Sequence, residues 1–476
     1  MLHEKAYRNN TNPHAPLTDA DLEKVINAIF QLMRETGVKF DRVPKVMDTL
    51  SDAKCDVSKD GIVKFPTDLV RGCIASVAKS VKLWNRPGTE YVEFSPSHTF
   101  FAANPGAPNI VDIDTGERRL MTKEDLAMIS RVTDALSNID MLMMPLKISE
   151  IDKFVAIVEN TVKPWGETGC EDPLALKAVI EMAAAIRGGL AQLKEKPFLI
   201  VAINGMPLYY SENDLDQILT VVENGIPLAV GTASIGGASA PITIAGNVVN
   251  CFASDFACLV LSQLLKKGSF CMPGSTIAFM DPVTGNLGAL NEFTLAEMVK
   301  CQVGRYFGLP LHFANAGINA AMDFNQEAVL GITATMIAGI YSQPTSSSYC
   351  GAIDALQAFS LHALLLCNEL VGTSRRMWKG VTVDDETLAL ELTNKLGPRG
   401  DYLGQMHTAK YCRKEISPTK YLISRSFDTW QKEGKKDLKE IIDADLRNIL
   451  ATHKPEPLPV SVQKQLEAIV KKYGVA

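Results

Sequence analysis

From Thr99 onward the chain repeats one pattern: a short apolar run that ends in Gly, Pro, Ser or Asn, then a helical stretch of about three turns or more. The runs are TFFAANPGAP from Thr99, MLMMPLKI from Met141, VKPWGETG from Val162, FLIVAINGMPL from Phe198, PLAVGTASIGG from Pro227, SFCMPGSTIAF from Ser269, LPLHFANAG from Leu309 and IYSQPTSSSYCG from Ile340. Eight alternations, with strands too apolar to be half exposed, predict an α/β fold of the (β/α)8 TIM-barrel type rather than an open doubly wound sheet. No G-x-G-x-x-G follows the first strand. In such a barrel the chemistry sits on the loops just after the strands. Attention therefore falls on Asn315, Ala316 and Gly317 and on the turn from Gln343 to Gly351.

Residues 1–95 read as a helical N-terminal extension. Leu17, Leu22, Val25, Ile29 and Met33 fall at helical spacing behind a Thr18–Asp19 cap, and further helices are expected near Val43–Leu50 and Pro66–Val77. Residues 96–375 hold the eight units. Residues 376–476 are charged, with helices between polar turns, and read as a helical region packed on the barrel and suited to partner binding or dimerisation; a homo-oligomer is expected. The net charge of -6 offers no basic patch for nucleic acid. Ten cysteines without a C-x-x-C pair imply reduced, mostly buried thiols and a cytoplasmic protein. Met1–Pro16 is polar and unlike a signal peptide. The most apolar helix, Cys251–Leu265, is shorter than the roughly 20 residues of a membrane span, so it is expected on the sheet rather than in a bilayer. The Gly-rich 231–246 precedes a helix, where it could cradle a phosphate or simply form a wide loop.

Five stretches carry a resemblance: ANPGAPNIVDIDTGERRLMTKEDL (103–126), GGASAPITIAG (236–246), MDPVTGNLGALNE (280–292), HTAKYCRKEISP (407–418) and SFDTWQKEGKKDL (426–438). Their order resembles the trimethylamine methyltransferase superfamily, whose members move a methyl group from an amine to the cobalt of a separate corrinoid protein. The founding members carry pyrrolysine in a late barrel strand, whereas only standard residues occur here. The resemblance therefore implies the branch that demethylates quaternary amines such as glycine betaine, proline betaine or carnitine. It implies a corrinoid acceptor carried by a partner protein, no permanently bound cofactor and no metal.

A quaternary ammonium is held by aromatic faces, and a betaine carboxylate needs hydrogen-bond donors or a cation. The strand-end aromatics are Phe100, Phe101, Trp165, Phe313, Tyr341 and Tyr349, of which alternation turns about half toward the helices. Tyr349 and Phe101 are the preferred pair. His312 and Ser347, within the run Ser346–Ser348, are candidate carboxylate donors; a core histidine and ordinary loop serines are the competing readings. Glu167 and Glu292 follow the third and sixth strands, and the resemblance gives Glu292 the place of a family glutamate near the reacting amine, against a plain first-turn carboxylate. Gly236, Gly237, Asn315 and Gly317 are expected to face the corrinoid. Two alternatives stay open: a zinc-dependent methanol or thiol methyltransferase, for which Cys170, Cys271, His312 and Cys350 are the available ligands, and a non-catalytic betaine-binding barrel.

Overall fold

The computed structural model describes residues 13–143, 148–168, 170, 172–288, 290–313, 316–417 and 419–473, with the backbone alone for Thr168 and Phe313. Eight runs form strands: β1 Phe100–Ala103, β2 Met141–Met143, β3 Trp165–Thr168, β4 Leu199–Gly205, β5 Leu228–Gly236, β6 in two pieces (Cys271–Pro273 and Thr276–Met280), β7 His312–Phe313 and β8 Ser346–Cys350. Neighbours pair in parallel from β6 through β5, β4, β3, β2 and β1, and the sheet curls until β8 lies beside β1, with Ser346 opposite Phe100, and β7 beside β8. The two outer strands, β6 and β7, share no ladder pair among the described residues. They still approach closely, since a Cβ on Gly274 would stand 3.6 Å from the His312 Cβ.

Alternation along the strands sorts the side chains into two cores. Phe100, Ala102, Met141, Met143, Ile200, Ala202, Ala229 and Met272 face the inside of the curl. A hairpin, Val81–Trp84 with Tyr91–Phe94, fills the N-terminal end of that interior, and Phe94 stacks on Phe100 at 5.2 Å. The opposite parity, including Phe101, Trp165, Leu199 and Val201, packs into the larger core under the helices.

Those helices start where the local sequence supplies a cap. Thr122 with Asp125 and Ser211 with Asp214 form capping boxes, and Asn325 and Ser360 accept from Ala328 and Ala363 N–H. The helix after β5 runs Ile244–Leu265, 22 residues, and is long and apolar enough to cross a membrane, contrary to the shorter helix expected from sequence. However, 78% of its apolar window is buried inside the fold, where helix Asp19–Glu35 packs on it. Its hydrophobicity is therefore accounted for by packing.

The N-terminal region holds the expected helices, Asp19–Glu35, Pro44–Asp52 and Thr67–Ser76, and also short strands that helical spacing does not reveal. Val38–Phe40, Asp56–Val57 and Ile62–Lys64 join Tyr209–Tyr210 in a small four-stranded sheet. At the other end, helix Leu438–Thr452 buries Ile442 and Leu446, and helix Val460–Tyr473 packs on Pro173–Arg187. Nine of the ten cysteines are buried free thiols, and Cys412 is exposed.

Candidate active site

A cavity of about 400 Å³ opens at the C-terminal ends of the strands. Its walls come from β5 (Ser234, Ile235), β6 (Thr276, Ala278), β8 (Tyr349) and the loops that follow β1, β6, β7 and β8. None of the described lining residues is charged; the polar groups are Ser234, Thr276, Asn319, Gln357 and the Tyr349 hydroxyl, with Phe293 as a second aromatic.

Tyr349 enters this cavity through a backbone irregularity. The β8 register slips between Ser347 and Cys350, and Tyr349 sits at φ +86°, a left-handed conformation that costs a non-glycine residue about 1–3 kcal/mol. Gly317 makes the bulge possible: at φ +99° it lies so close that a Cβ would stand 3.1 Å from the Tyr349 carbonyl oxygen and 3.0 Å from Cys367 Sγ. The ring is buried, its hydroxyl hydrogen-bonds Thr276, and burial, with Glu297 nearby, pushes its pKa up to about 12. Tyr349 is thus a neutral, fixed aromatic at every ordinary pH.

The roof is strained as well. Asp354, Ala355 and Leu356 have φ of +49°, +47° and +71°, three consecutive left-handed residues. Outside contacts hold them: Asp354 N–H donates to Ala321, Ala355 N–H to Asn319, and Arg118 pairs with the Asp354 carboxylate at 2.5 Å. Asn109 and Arg118 also donate to the Gln357 carbonyl. Strained backbone clusters where a site is held in a set shape.

Behind the β5–β6 wall lies a buried polar network. The break between the two pieces of β6 leaves Ser275 outside the ladder. Its N–H and hydroxyl donate to Asp255 (3.2 and 2.5 Å), and its carbonyl accepts from Lys300 Nζ at 2.5 Å. Lys300 also pairs with Glu297 at 2.6 Å. Burial pushes the Asp255 carboxyl up to about 7, against the opposing Ser275 hydrogen bonds. This clamp sets the direction of Thr276, the next residue. Ser234 is fixed from the same side, donating to Asn247 at 2.6 Å.

Several of the sequence candidates lie elsewhere. Phe101 faces the helices and stacks on Trp378 at 5.9 Å; Trp165 packs edge-on against Phe154; Glu167 pairs with Lys153 at 2.5 Å under the helix layer. All three have the outward parity of their strands. Phe100 does face inward, but at the plugged end against Phe94. Tyr341 is not on a strand: helix Gln326–Ser342 runs on to Ser342, ends at Gln343 in the left-handed conformation, and leaves Tyr341 55% exposed on its flank. Glu292 is exposed in the first turn of helix Leu290–Tyr306, while its neighbour Phe293 lines the cavity.

His312 is buried inside the curl. Ser346 bonds its Nδ1 at 2.8 Å and Ser348 its Nε2 at 3.1 Å, and burial holds it neutral, its pKa pulled down to about 3. It borders a small interior void that shares Thr276 with the main cavity. Ser347 has the opposite parity and is buried. Gly236 is buried against the Phe279 ring, Gly237 is exposed at φ +89°, and Gly317 is buried behind Tyr349 rather than on the rim. Asn315 lies outside the described residues, as does the Phe313 side chain. Cys170, Cys271, His312 and Cys350 are not gathered: among the described residues no three His, Cys, Asp or Glu side chains are placed to hold a metal. Sequence reasoning missed Phe293, Thr276, Ser234 and Gln357. The Pro273-Gly274-Ser275 interruption of the β6 run was a usable signal for Thr276.

The chain is similar throughout its length to known enzymes. Residues 2–474 match the family model described as Trimethylamine methyltransferase (MTTB). A trimethylamine methyltransferase MttB of Desulfitobacterium hafniense is 27% identical over 97% of this chain and 95% of its own, and a glycine betaine methyltransferase of the same species is 25% identical over 96% and 97%. Among solved structures, the monomethylamine methyltransferase MtmB of Methanosarcina barkeri superposes with a TM-score of 0.52 at 13% identity, covering 100% of this chain and 92% of that one, a likeness of fold. The full-length match makes this chain a member of the trimethylamine methyltransferase family, a methyltransferase whose relatives act on methylated amines.

Proposed function

We propose that this protein transfers a methyl group from a quaternary amine of the betaine class to the Co(I) of a corrinoid carried by a partner protein. In this reading 96–375 is a closed (β/α)8 barrel and the cavity at its C-terminal end is the amine site. One observation carries the proposal: a cavity of about 400 Å³ with an uncharged lining, framed by the rings of Tyr349 and Phe293. A permanent cation in such a space is attracted by each ring by on the order of 0.5–2 kcal/mol. A metal-dependent route has no comparable support among the described residues.

The chemistry asks little of the protein beyond placement. The quaternary nitrogen keeps the C–N bonding pair and departs as a neutral tertiary amine, while the methyl carbon takes an electron pair from the reduced cobalt, so no proton moves. The clamp on Ser275 fixes Thr276, Thr276 fixes the Tyr349 hydroxyl, and Tyr349 fixes the cation. The Gln357 side chain, in the lining, is a hydrogen-bond donor for a betaine carboxylate. Leu287, in the cavity lining, is 44% exposed, and Leu120, Met206, Ile242, Val283 and Met322, in the connections that follow the strands, are exposed as well, apolar side chains suited to a docking partner.

The test mixes the full-length protein with reduced cob(I)alamin, free or on a corrinoid protein, and a panel of quaternary amines. The expected result is conversion of the cob(I)alamin spectrum to that of methylcobalamin with at least one betaine. A folded protein that leaves the spectrum unchanged with every amine contradicts the proposal.

A further inference from the structure

Two hairpins follow strands of the sheet near the cavity, and both are built on the same turn. After β1 the chain reads VDIDTGE (111–117), and after β6 it reads MDPVTGN (280–286). In the first, Asp112 Oδ1 accepts from the Asp114 and Thr115 N–H groups and from the Thr115 hydroxyl, whose oxygen accepts from Glu117 N–H. In the second, Asp281 Oδ1 accepts from the Val283 and Thr284 N–H groups and from the Thr284 hydroxyl, whose oxygen accepts from Asn286 N–H. Gly116 and Gly285 both sit at φ +73° and donate to the aspartate carbonyl at 2.9 Å. The two turns therefore have the same internal hydrogen bonds, and any difference in their stability comes from outside.

Their surroundings differ. The first hairpin, Asn109–Val111 with Arg118–Leu120, buries Ile110 and Val111 and is extended by Ala358 and Phe359 beside Asn109 and Ile110. Arg118 pairs with Asp354 at 2.5 Å and Arg119 with Asp125 at 2.6 Å, and Arg447 reaches Asp114 at 2.9 Å and the Ile113 carbonyl at 3.0 Å. The second hairpin is Thr276–Met280 with Leu287–Gly288, and its first strand pairs with β5. Beyond Met280 these ties end. Among the described residues, no hydrogen bond or ion pair joins 282–288 to anything outside the hairpin, and Val283 at the tip is 90% exposed.

The loose hairpin is also the one that forms a wall of the cavity. Leu287 and Gly288 line it, as do Leu290 and Phe293 just beyond, whereas the tied hairpin contributes only Gly106 and Pro108 from the segment leading into it. A segment with few buried contacts opens at the low end of a protein's local stabilities, the range from which binding-site lids are drawn.

We propose that residues 281–288 are a lid on the cavity: the turn moves as a unit on strand Thr276–Met280, opens to admit the amine and closes Leu287 over it, while hairpin Asn109–Leu120 keeps its part of the rim fixed. The inference rests on the amine reading of the cavity. The internal hydrogen bonds of the turn survive the motion, so opening breaks little. Closing replaces water around the cation and around Leu287 by contact between the two, and a drier cavity strengthens the attraction of the Tyr349 and Phe293 rings for the cation. Leu287 is then the residue that limits how bulky an amine the closed cavity accepts.

The test is hydrogen exchange of the full-length protein without corrinoid, with glycine betaine and tetramethylammonium as probes and calorimetry to register their binding. In the ligand-free protein, amides of 282–287 are expected to exchange roughly 10-fold or more faster than those of 113–118 in the matching turn. A bound probe should slow 282–287 and leave 113–118 as they were. Leu287→Ala, a change at an exposed position, should weaken probe binding by roughly 2- to 10-fold and shrink the protection while the ligand-free exchange stays that of the wild type. Equal exchange in the two ligand-free turns overturns the proposal, as does a Leu287→Ala protein that binds like the wild type. A probe that binds without slowing 282–287 overturns the lid and leaves the amine reading standing. A folded protein that binds neither probe removes the lid and the amine reading together.

Discussion

At the N-terminal end of the eight strands, the hairpin Val81–Phe94 fills the curl with aromatic rings and methionines; at the C-terminal end, the same strands finish in hydroxyls, broken ladders and left-handed residues around a cavity. The plugged end satisfies ordinary packing rules: Phe94, Phe100, Met141 and Met272 are 0–1% exposed. The open end breaks them at Tyr349 and at Asp354–Leu356, and other parts of the fold hold the strain in place. Tight packing is thus concentrated at one end of the sheet and a cavity framed by strained backbone at the other, the division expected of parallel α/β folds whose loops after the strands carry function.

The largest effect should come from attacking the plugged end. Phe100→Ala removes a ring stacked on Phe94 and should cost about 3–5 kcal/mol in urea unfolding, with the remaining folded protein binding amine as before. A loss of amine affinity larger than the loss of stability would blur the distinction between the ends.

At the open end, Asp255→Asn should alter the pH dependence of stability. The native Asp255 carboxyl is raised to about 7 from an ordinary 3.8, so the native state binds the proton more tightly. Its contribution is full below about pH 4 and fades as pH rises through 7. The wild-type minus variant difference in unfolding free energy should therefore fall by a few kcal/mol between pH 4 and 7 and then level off. His312, pulled down to about 3, has the opposite sign and is unchanged in both proteins, so it cancels from the difference.

A smaller effect is expected at the roof. Ala355→Gly places the residue that tolerates φ +47° best and should stabilise by up to ~1 kcal/mol. The smallest belongs to Arg118→Ala, which removes a partly exposed ion pair worth roughly 0–1 kcal/mol but should speed hydrogen exchange at residues 354–357. Unchanged exchange there would mean that the pair does not hold the turn.

Much of this contrast was legible before any coordinates. Eight apolar runs located the eight strands, and Tyr349 stood out because polar turn residues surround it. The facing of each aromatic was not legible, because one residue of register exchanges inside for outside: Phe100 and Phe101 are adjacent, and only pairing with Ser346 and Ser347 decides between them. Tyr341 was misread because IYSQP is apolar enough for a strand, while Gln343 at φ +48° and Pro344 terminate a helix there. Glu297 and Lys300 gave no signal, since a buried ion pair three residues apart reads like any charged helix face. Residues 380–436, of which only Tyr421 is buried among the described residues, likewise look, in sequence, like ordinary amphipathic helices.

The central claim is that the amine is held against Tyr349. The most direct check is the rate of methyl transfer from a betaine to cob(I)alamin by Tyr349→Leu beside wild type, with thermal unfolding as a control for folding. Removing one cation-facing ring should lower kcat/KM by roughly 2- to 30-fold, with KM rising and a cooperative unfolding transition retained at a somewhat lower Tm. An unchanged kcat/KM in a folded Tyr349→Leu protein would contradict the account and place the reacting amine elsewhere.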